Sequence, residues 1–330
     1  SASSDHRFGC EGIAVEAAID GCEPKGELPG PAVEDHPIRR VGGIERQQQV
    51  ATEQPDIDAS AALHQLFDEH FERTLEMNPT YATFIGDDRY NDRLANTTSP
   101  EYRAASEAMD REFLARLLTI DRNALDYQDR LSYDLFRINR EQSLQGYRFP
   151  SHLQPLNQFY SLTSSFVQLG SGAGVHPFRT VKDYEDFLSR ADDFAANIDQ
   201  VINNMREGMR KGVVQPRILM EKLVPQLESQ IVDDVEDSQF YTPVRTIPDA
   251  FSAADRERLT VAYRDKIAQT IVPAYERLNN FLGDEYLGAA RETVGLYALP
   301  DGEDWYAYLV RNYTTTDMTP DQIHRIGLDE

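Results

Sequence analysis

The chain has 330 residues, 40% of them hydrophobic, and 33 Lys and Arg stand against 56 Asp and Glu for a net charge of −23. That is enough apolar material for one large or two ordinary domains, while the excess of carboxylates repels phosphates and anionic lipid surfaces and so excludes nucleic acid as a partner. No run of about 18 apolar residues occurs, so no integral membrane span is expected.

Residues 1–56 are rich in Gly, Pro, Glu and Ser and show neither strand nor helix periodicity, which predicts a disordered or loosely ordered leader. The N-terminus lacks the charged-then-apolar build of a signal peptide. Both cysteines, Cys10 and Cys22, fall in this leader without metal-type spacing, and are free to pair or to remain thiols. From Asp58 the pattern changes. Leu63, Leu66, Phe67, His70, Phe71, Thr74 and Leu75 share one helical face that Asn78 and Pro79 stop, predicting a helix over 58–77. His64 and His70 lie about 120° apart around that helix and cannot jointly grip a metal, so His70 reads as a core or boundary histidine. The run from Gly86 to Leu94 lacks the spacing and closing Glu of a calcium loop, and reads as a turn with solvated charges.

Ser99 and Pro100 open a second helix whose inner face is Tyr102, Ala105, Met109, Phe113, Leu117 and Ile120. A third follows, with Tyr127, Leu131, Leu135 and Ile138 as its apolar face and Gly146 as a left-handed cap. Residues 149–177 read as irregular, and their glycines at 170, 172 and 174 match no phosphate-binding or nucleophile motif. A loop of that length in a helical domain commonly borders a binding cleft. Val181 to Lys211 carries an unbroken apolar stripe, begun by Thr180 and closed by Gly212, and is the clearest helix of the chain. Pro216 starts another that ends at the solvated acidic group Asp233, Asp234, Glu236 and Asp237. After an extended link, a long helix is predicted over 252–282, bent at Pro273 and closed by Gly283. Residues 286–299 can hold one short extended segment.

The closing stretch crowds Trp305, Tyr306 and Tyr308 onto a short helix, too narrow to bury all three rings on one side. Trp305 and Tyr308 are expected to pack, and Tyr306 to face a substrate cleft, with Asn157 and Gln158 as further cleft candidates. Thr319, Pro320 and Gln322 then begin a helix that Glu330 cuts short, so the chain reads as truncated at its C-terminus. With no βαβ alternation, the fold class is α, with long antiparallel helices, irregular connections and at most one or two short strands over 57–330.

Several of these runs together resemble one family. They are Phe84 to Gly86 with Tyr90, Arg93 and Leu94; Pro155 to Gln158; Gly212 to Arg217; Tyr286 to Gly288 with Arg291 to Leu296; and the stretch from Leu299 onward. In this order they resemble the bacterial domain-of-unknown-function family 885, relatives of the gluzincin-like zinc metallopeptidases. The resemblance implies a zinc-dependent hydrolase of peptide-like substrates, of which this chain is the helical N-terminal half. The zinc motif belongs to a missing C-terminal half, which is then a partner of this one. It also favours a cell-envelope or periplasmic location, with a cytoplasmic one as the alternative. None of His6, His36, His64, His70, His152, His176 and His324 is followed by Glu, so no catalytic residue, metal ligand or cofactor is assigned within this chain. A non-catalytic helical module that binds peptides or proteins is the alternative.

Overall fold

The computed structural model describes residues 57–330; the leader and its two cysteines lie outside the described residues. The architecture is all-α, and among the described residues there is no strand. In chain order the helices are α1 (Ile57–Met77), α2 (Pro79–Phe84), α3 (Pro100–Leu117), α4 (Tyr127–Gly146), α5 (Leu162–Gly170), α6 (Val181–Lys211) and α7 (Arg217–Glu228). They continue as α8 (Thr242–Arg245), α9 (Ala253–Lys266), α10 (Val272–Phe281), α11 (Leu287–Ala289), α12 (Gly302–Thr314) and α13 (Pro320–Asp329).

The axis of the fold is α6. Thr180 and Asp183 cap its start reciprocally, Arg210 and Lys211 complement the dipole in its last turn, and Gly212 ends it at φ 71°. Its inward stripe, Tyr184, Phe187, Ala191, Phe194, Ile198, Val201 and Met205, is buried against α5, α7, α9 and α10. Phe194 stacks on Phe166 of α5 with ring centroids 4.1 Å apart, and Phe187 stacks on the same ring at 5.3 Å. Each such ring withdrawn from water contributes roughly 1.5–3 kcal/mol. A second apolar cluster joins α1, α3 and α4 around Leu63, Leu66, Met109 and Phe113. A third, smaller one seats Trp305 on Phe149, the two rings stacked 5.8 Å apart.

Several local expectations need correction. The α4 stripe Tyr127, Leu131, Leu135 and Ile138 faces outward, at 77%, 44%, 49% and 41% exposure, and Ala105 of α3 is exposed as well. What α4 turns inward is largely polar. Asp129 accepts hydrogen bonds from Ser60 and His64, while Arg140, Ser143 and Tyr147 donate to Asp110 of α3 at 2.7, 2.5 and 3.4 Å. A buried polar group with its bonds made costs little, so hydrophobicity alone does not tell which side goes in.

Gly146 is no left-handed cap, since Tyr147 follows it in right-handed conformation. A Cβ there would lie 2.6 Å from the Tyr308 hydroxyl, which donates to the Gln142 carbonyl, so the glycine admits α12 against α4. Part of 149–177 is helical as α5, begun by a reciprocal Ser161–Ser164 cap. Finally, Pro273 does not simply bend its helix, and Gly283 does not close it. Wide turns at Ile267–Ile271 and Leu282–Tyr286 absorb both. In the first, the Val272 amide reaches the Ile267 carbonyl five residues back. The second carries the chain on to Ala289 and leaves Tyr286 fully buried, its hydroxyl accepting from the Gln215 amide at 2.8 Å. Beyond it, the expected extended segment reduces to a single parallel bridge between Pro216 and Arg291.

Candidate functional site

One edge of α6 carries polar side chains at 190, 193, 197 and 204, and they hold a neighbouring loop by its backbone. Arg190 Nε donates to the Arg93 carbonyl at 3.0 Å, and Asp193 accepts from the Leu94 amide at 2.8 Å. Asn197 donates to the Ala95 carbonyl at 3.1 Å, and Asn204 to the Thr98 carbonyl at 2.8 Å. Four peptide groups of residues 93–98 are thus bonded by a helix rather than by a sheet partner. The upper end of this ladder is fully buried. Arg190, with no exposure, also donates to Thr83 and to His176 Nδ1, which fixes that imidazole as the neutral Nε2–H tautomer donating to the Asp183 carbonyl at 2.8 Å. Burial holds the His176 pKa down at about 4 and lowers that of Arg190 to about 10, so the guanidinium stays charged at neutral pH and the imidazole does not.

Between this held loop, the α1–α2 junction and the start of α5 lies a cavity of about 330 Å³, near the lower end of the range for small-ligand sites. Leu94, Pro155, Leu162, Phe166, Leu169 and Val201 supply its apolar surface. Hydroxyls and amides come from Thr80, Asn96, Thr97, Ser165 and Asn197, and Tyr81 and Tyr160 add rings. None of the 18 lining residues is charged, in a chain that is 27% charged. Another cavity, of about 440 Å³, is lined by Arg206 and Arg277, which are already paired with Glu285 and Asp199.

The three residues singled out from the sequence are not gathered around the neutral cavity. Asn157 Oδ1 accepts from the Phe159 and Tyr160 amides at 2.8 and 2.7 Å, a turn that presents Tyr160 at the cavity. Gln158 gives its carbonyl to Gln226, and its buried Oε1 has no partner. Tyr306 is 37% exposed and packs against Tyr297 with centroids 5.2 Å apart. The long connection at 149–177 does border the cavity, through Pro155 and Tyr160. Sequence reasoning missed α5, which supplies the floor. Its signal was Ser161 and Ser164 as a cap and Leu162, Phe166 and Leu169 at helical spacing, masked by the glycines that follow. Gly170 belongs inside that helix because a Cβ would come within 2.3 Å of the Phe187 ring.

The described residues do not fit a zinc site, for no three of His, Cys, Asp and Glu converge among them. His70 lies between Phe113 and Phe136, its Nε2 accepting from Arg140, and burial lowers its pKa to about 4. Ser60, Asp129 and His64 have the composition of a hydrolytic triad but the wrong connectivity. Hydroxyl and imidazole both bond the carboxylate, so the imidazole takes no proton from the serine. The group ties α1 to α4. What the cavity offers chemically is binding, through an apolar floor and a few neutral hydrogen-bonding groups.

Fold and site together define an all-helical domain with a preformed, uncharged cleft. The family described as bacterial protein of unknown function, DUF885, matches residues 79–330, and the chain belongs to that family. No curated protein matches it. Among solved structures it is similar to a protein of Colwellia psychrerythraea described as a "putative lipoprotein", with 16% identity and a TM-score of 0.72 over 83% of this chain. The match covers 49% of that protein, so the chain spans about half the length of the structure it resembles. Among the described residues no helix is long and apolar enough to cross a membrane.

Proposed function

We propose that this chain is the helical N-terminal half of a zinc-dependent, metallopeptidase-like hydrolase of the cell envelope, and that it binds the peptide-like substrate while a C-terminal half supplies metal and general base. The observation that carries this reading is the neutral cleft. A peptide segment is uncharged along its backbone, and hydroxyls, amides and an apolar floor are what such a segment needs. The half-length match to a longer solved protein is in keeping with a second half, and the envelope location rests on that protein's description and on the family resemblance. No step through a metal is assigned to the residues of this chain. Tyr306, beside Tyr297 on α12, and Gln158 are proposed as outer contacts for substrate, and Asn157 as the residue that places Tyr160.

The alternative is a binding module without chemistry, which the same cleft favours. Incubation with a mixture of unstructured peptides separates the two. On the hydrolase reading, the natural full-length product cuts peptides and loses this activity to a chelator, whereas residues 1–330 alone bind them uncut. Binding without cleavage by the full-length product selects the module. Failure of the chain to bind any peptide contradicts both.

A further inference from the structure

We propose that the neutral cleft is a side-chain pocket for an uncharged, ring-bearing group with one N–H or O–H donor, a phenol or an indole, carried on a peptide; this deepens the peptide reading above and rests on it. Asn197 supplies the acceptor for that donor. That residue lines the cavity and is only 3% exposed, yet one half of its amide is spoken for. Its Nδ2 must face the Ala95 carbonyl, because a carbonyl accepts and only the NH2 side can donate, so the orientation of the amide is fixed by its partner. Oδ1 then points the other way and accepts no hydrogen bond from any described residue. This oxygen is not sealed in the core, and its residue lines the cavity. A ligand N–H or O–H that replaces water at this acceptor, shielded on its other sides, gains the net worth of one neutral hydrogen bond.

The rest of the wall sets what carries the donor. Phe166 and Leu162 form an apolar floor, and Tyr81 and Tyr160 stand at the cavity with 37% and 81% exposure, so a flat ring meets other rings on entry. Charge is rejected. The chain's −23 draws cations toward its surface at long range, yet no lining residue can pair with an ammonium, and none can pair with a carboxylate. A ligand group that is ionised would have to shed water without meeting a countercharge.

The test is ligand-observed NMR on the full chain, with N-acetyl-tyrosinamide, N-acetyl-phenylalaninamide, N-acetyl-lysinamide and N-acetyl-glutamate amide as probes. The tyrosine probe is expected to bind about tenfold more tightly than the phenylalanine probe, the difference of one neutral hydrogen bond, and the two charged probes at least about a hundredfold more weakly. Ser165→Trp, at an exposed position on the cavity wall, should abolish binding of both aromatic probes, and Asn197→Leu should bring them level. Equal binding of the lysine probe overturns the proposal. So does binding that survives Ser165→Trp, or a tyrosine preference that survives Asn197→Leu. Since Asn197 also holds the loop at Ala95, Ser165→Trp decides the matter alone if Asn197→Leu fails to fold. A tyrosine probe seated in the pocket, with no peptide bound or cut in the experiment above, overturns the peptide reading and with it the peptide-borne ligand. Peptide binding that is indifferent to Ser165→Trp overturns this inference and leaves the peptide reading standing.

Discussion

Helices α4 and α6 are both amphipathic in sequence, and they resolve that pattern in opposite ways. On α6 the apolar stripe goes in, and the polar edge beside it holds the 93–98 loop by hydrogen bonds. On α4 the apolar stripe stays out, and Asp129, Tyr133, Arg140 and Ser143 face α1 and α3. The difference lies in what the neighbours offer. Helix α6 meets rings from several helices, whereas α4 meets a buried carboxylate, Asp110, that needs donors. Periodicity finds the stripe, and only the partner decides its direction.

The largest effect that would break this comparison is at the centre of α6. Phe194→Ala removes a fully buried ring stacked on Phe166 and should cost about 3–5 kcal/mol in chemical denaturation, with a loss below about 1 kcal/mol refuting a close-packed stripe. On α4 the comparable change is to a polar residue. Asp110→Ala leaves the half-buried Arg140 cation without its carboxylate, and should cost about 3 kcal/mol, most of it absent when Arg140→Met is made as well.

Acid sharpens the comparison, because each helix engages a neutral histidine, His176 buried and His70 half-buried. An unfolded histidine takes up its proton near pH 6.5, but His176 and His70 do so only near 4 in the fold, held down chiefly by burial. The unfolded state therefore binds more protons between those values. Stability is full above about pH 6.5 and falls as pH drops toward 4, by on the order of 3 kcal/mol for the buried His176. Asp193, whose pKa burial raises, works in the opposite sense at the acid end of this range. In urea titrations at several pH values, His176→Gln should flatten the slope, and an unchanged slope would remove the Arg190–His176 contact from the account. The smallest effect is on the outer face of α4, where Leu135→Lys should shift stability by no more than about 0.5 kcal/mol, and a loss of 2 or more would mean that the stripe is covered.

Much of the fold was legible for reasons the same pair makes plain. Thr180, Ser99 and Thr319 cap α6, α3 and α13 where the sequence places them, and Gly212 stops α6, because caps are local chemistry. The wide turns around Pro273 and Gly283 were not legible, since whether a helix breaks or widens depends on the packing on either side. The cleft was legible only as a long connection between helices. Asn157 shapes its rim through two backbone bonds, and Asn197, its most suggestive polar group, lay unnoticed beside a stripe read as apolar. A side chain that bonds a distant backbone carries no spacing signature.

The central claim is that the polar edge of α6 builds the cleft by holding residues 93–98, and amide hydrogen exchange on the full chain tests it most directly. The account predicts that the Leu94 amide, bonded to Asp193, exchanges slowly in the wild type. In Asp193→Ala it should become fast while the amides within α6 keep their protection. A Leu94 amide that already exchanges in the wild type as fast as an exposed loop, or one left protected in Asp193→Ala, would contradict it.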